Sequence, residues 1–330
     1  MPKKHPCFKA ATVQAAPAFL DLDAGIEKTI RLISEAAANE ASLIGFPETW
    51  LPGYPFFIWL GDPGWAMQFV PRYFDNSLEV DSPEMARVRE AAREHRIHVV
   101  LGYSERSGSS LYMGQAIIDS QGELIATRRK LKPTHAEQTL FGQGDGSHLA
   151  VHDTALGRLG ALNCWENIQP LLKQAMFSQG EQVHVASWLA NAVYRDTSYN
   201  FGPEVTFAAS QIYALEGQCF VVSSHAVISE EMVTLLCDTP ERRRLMRTGG
   251  GCSMIFGPDG RPLAQPLDER QEGLLYAEID LGRISLAKIV ADMAGHYMRP
   301  DVVRLMINRS PQPRVERLEL GLEPLAASKR

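Results

Sequence analysis

Two turn signals limit what this chain can fold into. "DSQG" (119–122) divides the run "GQAIIDSQGELIATRRK" (114–130), and "GPDG" (257–260) divides "GCSMIFGPDGRPLAQ" (251–265), so each run is expected to fold back as a β-hairpin. Around them, short apolar or β-branched runs at 10–16, 41–48, 97–105, 158–164, 182–190, 218–226 and 273–281 read as strands or hairpins. Helices are expected after "DLD" (21–23), where Ile26, Ile30, Ile33 and Ala37 share a face. They are also expected at 83–95, with Ser82 as N-cap and Pro83 as first residue, and at 169–179, 203–216 and 283–290. The alternation predicts an α/β fold whose sheet is mixed, not a doubly wound parallel one. Segments 51–80, with its Pro, Gly, Trp and Phe, and 227–250 read as long irregular loops, which in a compact domain tend to be functional or interfacial. One domain over 1–308 is expected, with 309–330 as a C-terminal tail and candidate oligomerisation arm.

A net charge of −6 gives no general attraction to nucleic acid or to an anionic membrane. The basic clusters "RRKLK" (128–132) and "ERRRLMR" (241–247) read as solvated faces or subunit contacts. Five cysteines, an odd number without CxxC spacing, suggest neither a disulfide framework nor a zinc site, and His135, His148 and His152 lack a second cysteine at ligand spacing. No metal is expected. Gln14, Pro17 and the aspartates that follow spoil a signal-peptide core, and no apolar run approaches the ~18 residues of a membrane span. Reduced thiols and a cytoplasmic location are the expectation.

Cys164 closes the run "RLGALNC" and precedes "WEN", a strand-to-helix transition where a nucleophile is exposed and amide dipoles favour a thiolate. Glu48 ends "LIGFPE", where burial would raise its pKa into the range of a general base. Lys130 ends a hairpin strand and could hold a developing anion. Each has a plainer reading when taken singly: a small buried hydrophobe, a loop glutamate or cap, a solvated lysine.

Taken together, "FPETWLPGYP", "RRKLKPTHAEQTLFGQGDGS" and "LGALNCWEN" put Glu, Lys and Cys beside three strand ends, in that order. In these motifs the sequence resembles the nitrilase branch of the carbon–nitrogen hydrolase superfamily, from about Lys9 to "GHYMRPDVVRLMIN" (295–308). The resemblance implies a Glu48–Lys130–Cys164 triad, with Glu137 as the family's second glutamate. It also implies a four-layer α-β-β-α sandwich whose subunits pair through their helical layers (αββα-αββα), often extending into spirals or helical filaments.

The chemistry so implied needs no cofactor. A thiolate of Cys164 attacks a nitrile carbon, Glu48 takes the thiol proton and later activates water, and Lys130 stabilises charge, with Glu137 orienting Lys130 or relaying a proton. "QAAPAFLDLDAG", "WLPGYPFFIW", "YALEGQC" and "GHYMRPDV" most resemble arylacetonitrilases. Tyr54, Trp59, Trp165 and Trp188 would supply an aromatic pocket, with His296 as a further candidate and Phe56 and Phe57 as packing residues. Other readings are an amidase, carbamoylase or cyanide-degrading enzyme on the same scaffold, or a catalytically silent filament protein.

Overall fold

The computed structural model describes residues 5–313. Strand β1 (Cys7–Ala15) leads to helix α1 (Leu22–Ala38), which starts a residue into "DLD" because the Asp21 carboxylate accepts from the Ala24 amide. Next come β2 (Ala41–Gly45), the short helices α2 (Phe57–Leu60), α3 (Pro63–Ala66) and α4 (Val70–Asp75), and α5 (Pro83–His95), capped by Ser82 as expected. A meander of β3 (His98–Ser107), β4 (Ser110–Ile118) and β5 (Leu124–Arg129) follows, then β6 (Phe141–Gly142), β7 (His152–Thr154), β8 (Gly157–Asn163), α6 (Pro170–Phe177), β9 (Val183–Trp188), α7 (Pro203–Gly217) and β10 (Phe220–Ala226). The chain continues through α8 (Glu230–Leu236), α9 (Pro240–Leu245), β11 (Met254–Phe256), β12 (Gly273–Asp280) and α10 (Gly282–Val290).

Strand pairing divides into two sheets that touch at a corner. One runs β5-β4-β3-β2-β1-β12 and the other β7-β8-β9-β10-β11. Strand β1 pairs with β12 along eight residues but with β10 only at Gln14↔His225 and Ala15↔Ala226, so the sheets can stack elsewhere. The period-2 alternation of β1 shows the stacking. Ala11, Val13 and Ala15 face a core with Ile26 and Ile33 of α1 and Met85 and Val88 of α5, whereas Phe8 and Ala10 join Leu43, Val100, Val185, Phe220 and Val222 between the sheets. Leu162, Ala186 and Trp188 on the outer face of the second sheet pack on Met176 and Phe177 of α6 and Tyr213 of α7. The layers are therefore α-β-β-α, and both sheets mix parallel and antiparallel pairs, as the hairpin signals require.

Three expectations change. Segment 51–80 is not irregular: it holds α2, α3 and α4, with Phe57 packed on Phe69 and Tyr73. Segment 227–250 holds α8 and α9, N-capped by Ser229 and Thr239. Helices of four to seven residues span fewer than two turns, too short for a 3.6-residue period to show. The "GPDG" hairpin forms its turn at Gly260 (φ 77°) but returns as a single bridge, Phe256↔Pro262, because β11 pairs chiefly with β10. Of the tail, 314–330 lies outside the described residues, while Gln312 donates its amide to Asp145 Oδ2.

Gly102 of β3 shows how the sandwich places the site. A Cβ there would stand 2.0 Å from the Pro47 carbonyl oxygen and 3.1 Å from the Glu48 Cα, both backbone atoms. Gly102→Ala is expected to cost about 1–3 kcal/mol by overpacking and to move Glu48. Urea denaturation should show a lower midpoint with unchanged slope, and an unchanged midpoint would show that the strand end yields freely.

Candidate active site

The strand ends β2, β5 and β8 converge. Lys130 follows β5 and its Nζ donates to Glu48 Oε1 (2.9 Å) and Glu137 Oε2 (2.7 Å). All three side chains are essentially inaccessible to solvent. Glu137 sits in a 3₁₀ turn (His135–Thr139) and also accepts from the Thr134 amide (2.6 Å) and from Tyr54 Oη (2.8 Å), which in turn accepts from Trp59 Nε1 (2.9 Å). Glu48 Oε2, buried, has no hydrogen-bond partner among the described residues. Cys164 opens a second 3₁₀ turn (Cys164–Asn167) with φ 47°, left-handed backbone that a non-glycine residue adopts at a cost.

The pKa shifts follow from burial and charge. Burial pushes Glu48 up to about 8, with Lys130 pulling the other way. Burial alone would lower Lys130, but Glu137 and Glu48 outweigh it and hold the ammonium above the ordinary lysine range. Burial, and then Glu48, push the Cys164 thiol well up, against Lys130. The resting thiol is therefore protonated, and Glu48 is a carboxyl group that titrates near 8.

Glu166 ties the strand ends together. Its carboxylate accepts from Arg128 Nη2 (2.8 Å), from the Leu131 amide next to Lys130 (2.8 Å) and from the Asn163 amide next to Cys164 (2.9 Å). Burial pushes Glu166 up, yet Arg128 and the two amides outweigh it and hold the carboxyl low. Most of the "RRKLK" cluster is thus no solvated face: Arg128 is buried, Arg129 pairs with Glu105 over the Tyr112 ring and Lys130 is enclosed, while Lys132 is exposed. By contrast, Arg242 and Arg244 of the second cluster pair locally with Asp238 and Glu241, and Arg247 pairs with the more distant Asp196.

A cavity of about 40 Å³ is lined by Tyr54, Trp59, Glu137, Cys164 and Trp165, joined by Phe56, Thr134, Leu189 and Phe201. Two expected pocket residues are not in it. Trp188 alternates to the outer face of β9, where it stacks on His225 and donates to Ser210 Oγ (3.0 Å). His296 lies exposed, 3.8 Å from Asp292 Oδ2. Phe56, expected only to pack, lines the cavity. The missed Glu166 carried a signal: Asn163-x-x-Glu166, like Thr134-x-x-Glu137, has the spacing of a helix-start capping box.

Fold and site together define an α-β-β-α protein with a cysteine–lysine–glutamate centre at its strand ends. The chain belongs to the carbon–nitrogen hydrolase family, whose model matches residues 9–289. A nitrilase of Pseudomonas syringae pv. syringae (strain B728a) is 56% identical over 93% of this chain and 91% of its own length. An aliphatic nitrilase of Rhodococcus rhodochrous is 51% identical (92% and 83%), and an arylacetone-specific nitrilase of Alcaligenes faecalis 47% (93% and 87%). These relatives place the chain in the nitrilase branch. A crystal structure of a carbon–nitrogen hydrolase from Helicobacter pylori G27 shares the fold at 18% identity, with a TM-score of 0.72 over 90% of this chain and 97% of that one.

A base role for Glu48, raised to about 8, predicts that kcat/KM rises with pH through a limb centred near 8 and levels off above it. A pH–rate profile checks this; a flat profile from pH 6 to 9 would remove Glu48 as the titrating base.

Proposed function

We propose that the chain hydrolyses an organic nitrile, probing its substrate through Cys164 as nucleophile, Glu48 as general base, Lys130 as the charge-stabilising cation and Glu137 as the group that orients Lys130. The observation that supports this most directly is the buried ammonium held between two carboxylates beside a cavity that Cys164 opens into. Glu48 takes the thiol proton and sulfur bonds to the nitrile carbon. The displaced π pair on nitrogen takes up a proton, giving a thioimidate, with Lys130 offsetting the charge that develops. Water activated by Glu48 adds to this carbon. Loss of ammonia leaves a thioester, which a second water cleaves to the acid and the thiol; expulsion of sulfur before ammonia would give amide instead.

The room at Cys164 suits a cyano group and its α-carbon. Beyond Thr134 and Trp165, which border both spaces, a cavity of about 420 Å³ has Ile168, Pro170 and Leu172 on part of its wall and Lys132, His135, Gln138 and Gln169 on the rest, and has room for a group the size of a phenyl ring. Arylacetonitriles fit that division, in keeping with the name of a relative, an arylacetonitrilase of Aspergillus kawachii (strain NBRC 4308) that is 46% identical over 92% of this chain and 92% of its own length. Ammonia release from phenylacetonitrile, an aliphatic dinitrile, cyanide and phenylacetamide tests the reading. Phenylacetonitrile is expected to be turned over fastest, and Cys164→Ala to abolish the reaction. Faster turnover of the amide or cyanide would overturn the nitrile assignment.

We also propose that the protein acts in the cytoplasm as a homo-oligomer. Among the described residues no helix is long and apolar enough to cross a membrane. Leu286, Ile289 and Val290 of α10 and Val302, Val303 and Met306 beyond it are exposed apolar side chains on one continuous segment, the type of surface that a second copy covers. Light scattering is expected to show species of at least twice the monomer mass, and a monomer alone would refute the assembly.

A further inference from the structure

Behind Cys164, on the side away from the cavity, runs a second buried chain of polar groups that the proposed chemistry does not use. Asn167 Nδ2 donates to the Cys164 carbonyl (2.8 Å) and, more weakly, to that of Leu162 (3.3 Å). With its amide nitrogen engaged, Asn167 presents Oδ1 to His184 Nε2 (2.8 Å), so this nitrogen is a donor. On the far side His184 Nδ1 meets Glu181 Oε1 (2.7 Å), and Tyr213 Oη donates to Glu181 Oε2 (2.7 Å) while its ring stacks on the imidazole with centroids 3.9 Å apart. Asn167, His184 and Glu181 are buried, and the His184 and Glu181 side chains are wholly inaccessible. One proton lies between Nδ1 and Oε1.

The backbone makes room for this chain. Gly160 of β8 faces His184 across the ladder, and a Cβ there would stand 1.9 Å from Glu181 Oε1. The strand that delivers Cys164 thus carries, four residues earlier, a glycine whose missing side chain is where the carboxylate sits.

We propose that Glu181, His184 and Asn167 are positioning residues: they fix the carbonyl of Cys164, and with it the left-handed backbone (φ 47°) that aims the thiol into the cavity. The proposal rests on Cys164 being the nucleophile. Asn167 acts on the peptide unit of the reacting residue, and His184 and Glu181 keep the Asn167 amide from flipping. None of the three lines the cavity, so their work is on the geometry of attack and not on substrate binding.

The test compares wild type, Cys164→Ala, Asn167→Asp, His184→Ala, His184→Gln and Gly160→Ala, each in the full chain. Measurements are kcat and KM for phenylacetonitrile, the rate of Cys164 alkylation by iodoacetamide, and near-ultraviolet circular dichroism for packing. Asn167→Asp keeps the shape but sets an acceptor against the Cys164 carbonyl. It and His184→Ala are expected to lower kcat about 100-fold, the loss that a nucleophile misplaced by about 1 Å incurs, with KM within about threefold and slower alkylation. His184→Gln can still donate through Nε2 to Asn167 and should recover at least about tenfold over His184→Ala. Gly160→Ala, which adds one methyl and no charge, should lower kcat in the same direction by displacing Glu181. Wild-type kcat in Asn167→Asp and His184→Ala, or His184→Gln no better than His184→Ala, overturns the positioning role. Activity surviving in Cys164→Ala would overturn the nucleophile itself and the relay with it.

Discussion

A lysine ammonium with no access to water dictates the arrangement around it. Left alone, the charge of Lys130 would be neutralised or expelled, since desolvating an ammonium costs several kcal/mol even after relaxation. Two carboxylates within hydrogen-bond distance hold it in place, one brought from far along the chain and one from nearby: Glu48 is 82 residues away, Glu137 seven. Three ionised groups would leave the enclosed cluster one negative charge in excess, and the protein answers by raising Glu48 to about 8, so that the cluster approaches neutrality in the resting state. The group that gives way is the one with an unpartnered oxygen, Glu48 Oε2. Electrostatic economy and the requirement for a base near neutral pH thus select the same residue.

The sandwich prepares for that cluster along its whole length. Between the sheets the inward residues of the parallel strands begin apolar and end polar. Phe8 and Ala10 give way to Thr12 and Gln14, Val183 and Val185 to Ser187, Phe220 and Val222 to Ser224, and Leu159 and Ala161 to Asn163. The polar ends bond across the gap, Thr12 Oγ1 to Ser224 Oγ (2.7 Å) and Gln115 Nε2 to Ser187 Oγ (2.8 Å), and Gln115 Oε1 accepts from the same Arg128 that holds Glu166. The carboxyl ends of these strands therefore form a rim where the charge of Lys130 meets hydrogen-bond partners, as is general where parallel strands carry a site.

The same gradient explains what could be read before any coordinates. Strands such as β9 and β10 are short apolar runs with a polar end and were legible as strands; Glu48, Lys130 and Cys164 were legible because each ends such a run and because the surrounding motifs resemble a family. The four-layer stacking came from the resemblance, since alternation along β1 says that it has two faces but not what covers them. Trp188 was misplaced for a related reason: an aromatic at the end of a strand lies on either of its two faces, and one residue of register separates the cavity, reached by Leu189, from α7. Arg128 looked like a surface charge beside two others. Only its partner, 38 residues on, shows why it is inside.

Strain marks where this order matters. Thr49, His135 and Cys164 have φ of 44°, 45° and 47°, and each is next to, near, or identical with a member of the cluster and its nucleophile. Histidine tolerates left-handed backbone moderately well, but for the β-branched Thr49 it is a true outlier, and each such residue costs on the order of 1–3 kcal/mol. Such conformations persist only where neighbours over-determine them, and here they do. Glu48 donates its amide to the Trp188 carbonyl, Glu137 accepts from the amide beside His135, and the Cys164 turn is held by Glu166 and Asn167. Apart from the half-buried Thr134 amide these bonds are between buried groups, and all are already formed in the resting protein, so none has to be made when substrate arrives. A site held in this way has its donors and charges in place in advance, which is what the proposed attack on a weak electrophile requires: an ammonium and a carboxylate that need not first reorganise water.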